Sequence, residues 1–123
     1  MSAAALAGRR ILIVEDEFLV ALDIERMVDE GGGSVVGPAA TLDEALAKAR
    51  DEPLDGAILD VNIGGRKVTP VVQVLRERGV PFILSTGYGP QAIDPEIADA
   101  PSLSKPFDER QVVALMQQVF AAR

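Results

Sequence analysis

Ile11-Leu12-Ile13-Val14-Glu15-Asp16-Glu17 runs four apolar residues straight into three acids. An unbroken apolar run with no polar alternation reads as a strand buried on both faces, as in parallel sheets. Its abrupt acidic end means that the strand stops at a polar edge. From Glu17 onwards, Val20, Ile24, Met27 and Val28 recur at helical spacing, and Gly31-Gly32-Gly33 stops the helix.

The same unit recurs along the chain. Val35-Val36 reads as a short second strand closed by Gly37-Pro38. Thr41 and Glu44 have capping-box form, and Leu42, Ala45, Leu46 and Ala49 give that helix its buried stripe. Ala57-Ile58-Leu59 leads into Asp60, and Gly64-Gly65 makes a loop. Thr69-Pro70 looks like an N-cap with proline at the first helical position, opening a helix that buries Val68, Val71, Val72 and Leu75. Val80 to Leu84 is a fourth strand. Pro90, Pro95 and Pro101 allow only a short or irregular helix between Gly89 and Ala100. A brief fifth strand near Leu103 leads to Lys105-Pro106, and the last helix starts at Asp108, with Gln111 three residues on. Strict β–α alternation implies a parallel sheet covered on both faces, of strand order 2-1-3-4-5. Residues 9–123 are expected to form one domain, and residues 1–8 a flexible N-terminal tail.

Composition narrows the chemistry. The 123-residue chain has a net charge of −7 and no clustered basic stretch, which disfavours nucleic acid as a partner. It has no cysteine and no histidine, so thiolate nucleophiles, Cys-based zinc sites and Ser-His triads are excluded. No apolar run approaches the roughly 20 residues that span a bilayer, so no membrane association is expected and the cytoplasm is the default location.

The remaining reactive groups gather at strand ends. Glu15-Asp16 follow strand 1, Asp60 and Asn62 strand 3, Ser85-Thr86-Gly87 strand 4, and Lys105 strand 5. In such a sheet all of them reach one edge. Carboxylates crowded together repel unless a cation lies between them, and hard oxygen ligands favour Mg²⁺. Lys105 adds a second positive charge and Thr86 a hydrogen-bond donor. Such a site is suited to stabilise a phosphoryl group on Asp60. Taken singly, each motif has a plain structural reading, as helix-start acids, a turn former or a surface lysine. Four in register are not expected by chance.

Those residues, in that order, resemble the receiver domain of bacterial response regulators, over about residues 9 to 122. Leu84-Ser85-Thr86-Gly87-Tyr88 with Asp60-Val61-Asn62-Ile63-Gly64-Gly65 resembles the FATGUY subgroup, often stand-alone domains in alphaproteobacteria. The resemblance implies a flavodoxin-like (βα)5 fold and a signalling switch rather than an enzyme on external substrates. Asp60 would be the phosphoacceptor, served by a histidine kinase of the HWE or a related type. Asp16 would bind Mg²⁺ (or Mn²⁺) directly, Asn62 through its backbone carbonyl, and Glu15 through water, alongside Asp60. Thr86 would be the switch hydroxyl, and Lys105 would pair first with the Asp60 carboxylate and then with the phosphoryl oxygens. The Lys105-Pro106 bond is commonly cis in the family. Output would go to a downstream protein or a phosphotransfer protein, from a monomer or a phosphorylation-dependent homodimer, through a face including Gln111, Leu115 and Gln118.

Two departures stand out. Glu15 occupies a position that is often Asp, and Ser102 one that is often Tyr or Phe. The signal is therefore expected to pass through order and disorder of residues 88–100. A competing reading, an Asp-nucleophile phosphatase, needs an acid two residues after the nucleophile. Asn62 cannot fill that role. A receiver that is never phosphorylated is opposed by the intact Asp16, Asp60, Thr86 and Lys105.

Overall fold

The structure, a computed structural model, describes residues 5–121. In chain order the elements are β1 (Arg10–Val14), α1 (Phe18–Glu30), β2 (Ser34–Ala39), α2 (Leu42–Asp51), β3 (Gly56–Asp60), β4 (Asn62–Ile63), β5 (Arg66–Lys67), α3 (Thr69–Glu77), β6 (Phe82–Thr86), β7 (Ser102–Ser104) and α4 (Glu109–Met116). Two 3₁₀ turns, Pro90–Ala92 and Pro95–Ile97, precede β7, and a π turn, Gln117–Ala121, follows α4. Five strands form one parallel sheet in the order β2-β1-β3-β6-β7. With β4 and β5 set aside as a separate hairpin, this is the order 2-1-3-4-5 of a flavodoxin-like α/β fold.

Strand periodicity divides the core in two. Leu12, Val14, Ala57, Leu59, Phe82 and Leu84 face α2 and α3, meeting Ala45, Ala49, Val71, Val72 and Leu75. Ile11, Ile13, Ile58, Ile83 and Leu103 face α1 and α4, meeting Ile24, Met27, Val28, Val112 and Met116. The next residue along β1 is Glu15, and β3 closes on Asp60. By the same alternation both belong to the α1/α4 side.

Several local expectations need correction. β2 does not close at Gly37-Pro38 but runs through it to Ala39, with an irregularity in its pairing to β1. The Gly37-Pro38 bond is cis and Gly37 has φ 99°; a Cβ there would lie 2.8 Å from the Ala39 nitrogen. Edge position explains why the strand tolerates this proline. The loop expected at Gly64-Gly65 is the turn of the β4–β5 hairpin, both glycines having positive φ as a tight hairpin turn demands. Thr69 is not the cap of α3. The helix starts at Thr69, Pro70 is its second residue, and the Thr69 hydroxyl donates to Asp94 Oδ2 at 2.8 Å. Asp108 does cap α4, but its carboxylate accepts the Arg110 amide rather than that of Gln111. Thr41 behaves as expected, accepting the Glu44 amide at 3.1 Å.

The flexible tail expected at residues 1–8 is described only from Ala5 onwards. Residues 1–4 lie outside the described residues. Leu6 is buried among α1 and α4 side chains, and its amide donates to Gly31 O at 2.7 Å. Residues 122 and 123 also lie outside. Among the described residues no helix is long and apolar enough to cross a membrane.

Candidate functional site

The carboxyl ends of β1, β3, β6 and β7 meet at one edge. The Glu15 amide donates to Ala39 O at 3.0 Å, which keeps this residue in line with the sheet and buries its side chain. Asp16 and Glu17 then turn outward and are exposed. The Lys105 amide donates to Thr86 O at 2.8 Å, so β7 delivers the lysine beside β6, and the Lys105-Pro106 bond is cis.

Lys105 is the hub. Its Nζ lies 2.7 Å from Asp60 Oδ2, 3.0 Å from Glu15 Oε1 and 3.1 Å from Glu17 Oε1. An ammonium has three N–H donors, and here three carboxylates surround it. Burial works against the charge on Lys105, but hydrogen bonds to Asp60 and Glu15 outweigh it and raise the pKa. Glu15 is pushed the other way for an acid. Burial lifts its carboxyl to about 7, against the hydrogen bond from Lys105, with the Asp60 charge adding to the rise.

Glu15, Asp16, Glu17 and Asp60 each offer an oxygen, all within 4.8 Å of one another. Four carboxylates facing one ammonium leave negative charge uncompensated, and an all-oxygen donor set matches a hard divalent cation. The β4–β5 hairpin orients two of these acids. The Gly64 amide donates to Asp16 Oδ2 at 2.9 Å, and the Asn62 amide to Asp60 Oδ1 at 3.0 Å. Asn62 Oδ1 in turn accepts the Gly65 amide at 3.0 Å, bracing the turn. Over this rim opens a cavity of ≈ 600 Å³, lined by Asp16, Glu17, Asp60, Asn62, Tyr88 and Lys105 among others. Asp60 is thus nearly buried yet reachable from one side.

Thr86 is placed differently. It shares the strand parity of Leu84, so it looks towards α2 and α3. Its Oγ1 accepts the Tyr88 amide at 3.1 Å and donates to Gly89 O at 3.4 Å. The structure therefore brings Glu15, Asp16, Asp60 and Lys105 together, sets Asn62 at the rim, and leaves the Thr86 hydroxyl tied to the following loop. Two residues received no role at the site from sequence reasoning. Glu17 reads as a helix-start acid, yet it touches Lys105 and caps nothing. Ser85 is fully buried in register with Asp60, with no hydrogen-bond partner for its hydroxyl. A non-capping residue type at the N-cap of α1 was the available signal for Glu17.

Comparison with known proteins places this geometry. The family model for the response regulator receiver domain matches residues 11–117. SdrG from Sphingomonas melonis Fr1 is 42% identical and superposes with a TM-score of 0.79, covering 95% of this chain and 98% of that one. The BeF3-activated conformation of SdrG from Pseudomonas melonis Fr1 gives 39% identity and a TM-score of 0.74, over 96% of this chain and 98% of that one. The phyllosphere-induced regulator PhyR of Methylorubrum extorquens is 34% identical over 119 residues, which is 94% of this chain and 45% of PhyR. The chain spans about half the length of the curated relatives it matches, from 45% to 58%. A match along nearly the whole sheet agrees with the strand order and with the lysine-bound aspartate at its edge, and this chain belongs to the response regulator receiver domains.

Proposed function

We propose that this chain is a receiver whose Asp60 accepts a phosphoryl group from a histidine kinase in a Mg²⁺-dependent reaction. The observation that carries the reading is Lys105 Nζ, 2.7 Å from Asp60 Oδ2, inside a ring of carboxylates open to a cavity. An Asp60 oxygen attacks phosphorus, the bond from phosphorus to the donor's imidazole nitrogen breaks, and that nitrogen keeps the electron pair. Lys105 holds Asp60 in place beforehand and neutralises phosphoryl oxygens afterwards. Asp16, Asp60 and the Asn62 carbonyl would hold Mg²⁺ (or Mn²⁺), with Glu15 acting through water. When bound, the ion supplies positive charge against the transferring group. The Thr86 hydroxyl is expected to leave Gly89 and Tyr88 for the phosphoryl group, releasing the loop it now ties.

The compartment that fits a kinase-served receiver is the cytoplasm. Beryllofluoride stands in for a carboxylate-bound phosphoryl group, so SdrG's BeF3-activated conformation supports the chemistry by likeness. The partner on the output side is a protein target or a phosphotransfer protein. The test is intact mass after incubation with Mg²⁺ and a small phosphodonor such as phosphoramidate. A gain of one phosphoryl group that disappears in Asp60→Asn supports the switch. No gain with either the small donor or the kinases of the same organism overturns it.

A further inference from the structure

Glu17 sits at the N-cap of α1, where a Ser, Thr, Asp or Asn side chain would satisfy a free backbone amide. It makes no such bond. Its side chain instead crosses to Lys105, 88 positions along the chain, with Oε1 3.1 Å from Nζ. Its own amide donates to Glu15 Oε2 at 3.1 Å, which fixes the turn that aims it. The three acceptors of Lys105 are not equivalent. The Glu15 side chain has no exposure and Asp60 little (0% and 9%), whereas the Glu17 side chain is 63% exposed. Two of the three partners are thus set in the fold, and one is exchangeable.

From this geometry we infer that Glu17 is a positioning residue. It holds the third donor of Lys105 in the unphosphorylated state and hands it over when a phosphoryl group is bound at Asp60. The inference rests on Asp60 being the acceptor. A phosphoryl group brings extra anionic oxygens to the same ammonium, and the exposed acid loses least by giving it up, because water replaces its partner. Until it does, Glu17 competes with the incoming group for Lys105 and repels it. The side chain therefore sets how readily the site becomes occupied without touching phosphorus.

Glu17→Gln keeps the shape and removes the charge, at an exposed position where folding is not at stake. In metal-free protein, ¹H–¹⁵N spectra of the Lys105 ammonium should shift, and its proton exchange should quicken about threefold, the scale of a partly exposed ion pair. Asp29→Asn, an equal loss of charge farther along α1, should leave that resonance unmoved. At saturating Mg²⁺ the Glu17→Gln protein should bind beryllofluoride about threefold to tenfold more tightly than wild type. Wild-type-like resonance and affinity in the variant would overturn the role. So would a loss of Mg²⁺ affinity of about tenfold or more, which would make Glu17 part of the metal site, as a ligand or as the partner of one. If wild type itself binds no beryllofluoride and gains no phosphoryl mass, the acceptor reading fails and the hand-over fails with it. Binding to wild type without any effect of Glu17→Gln sinks the hand-over alone.

Discussion

Glu15 is a carboxyl with no exposed side-chain surface, facing a lysine on one side and another acid beside it. Because its folded pKa of about 7 lies above its ordinary 4.5, the native protein binds this proton more tightly than the unfolded chain does. In metal-free protein, Glu15 should therefore favour the folded state below about pH 4.5 and progressively lose that contribution as pH rises to about 7. Denaturant midpoints across that window should show this decline, and Glu15→Gln should flatten it; a carbon-13 titration of the Glu15 carboxyl should show the midpoint directly. Glu15, Asp16 and Asp60 were legible in the sequence because they follow apolar runs whose ends are unmistakable, and Lys105 because a brief strand near Leu103 leads to Lys105-Pro106. Glu17 and Ser85 were not. Their significance lies in what they reach, or fail to reach, across the sheet edge, and spacing along the chain carries no such information.

Residues 90–100 behave as a strap over α3. Asp94 accepts the Glu96 amide and the Thr69 hydroxyl, and Arg76 donates to Glu96 O at 3.2 Å and Asp99 Oδ1 at 3.1 Å. Ile93 and Ile97 are buried beneath it. The Glu96 amide first, then the Thr69 hydroxyl, holds the Asp94 carboxyl below its ordinary range. Thr69→Val should raise that pKa towards the ordinary value and speed amide exchange from Asp94 to Ala100 several-fold, both read by NMR. Acid acts in the same sense. The stabilisation is present above the ordinary pKa and fades as pH falls through the depressed one. The hairpin offers a second test. Gly65 has φ 82°, which costs a β-branched residue about 1–2 kcal/mol, so Gly65→Val should loosen the turn that donates to Asp16. Mg²⁺ affinity, measured by calorimetry, should then fall several-fold. Neither element was readable in detail beforehand. Two-residue strands carry no periodicity, and the strap is fixed by contacts to α3 rather than by its own pattern. The longer helices announced themselves because their apolar stripes are local properties of the chain.

Across the whole molecule, stability rests on two apolar layers and the sheet between them. Phe120, from the π turn after α4, closes one layer and lies where a Cβ on Gly56 would approach its ring to 2.5 Å. Phe120→Ala should cost about 3–5 kcal/mol in denaturant unfolding, whereas Phe18→Ala, at a side chain 73% exposed, should change it by under about 0.5 kcal/mol. The layer plan followed from alternation and charge alone, because burying both faces of a parallel sheet leaves few arrangements. The same plan gives the placing of Thr86 its meaning. Asp60 and Lys105 occupy one side of the partition, while Thr86, of the opposite strand parity, is tied by its hydroxyl to Tyr88 and Gly89, just before the strap. Whatever draws that hydroxyl across must let go of the loop in the same movement. An event confined to one layer would then be heard in the next room, through a single side chain set in the wall.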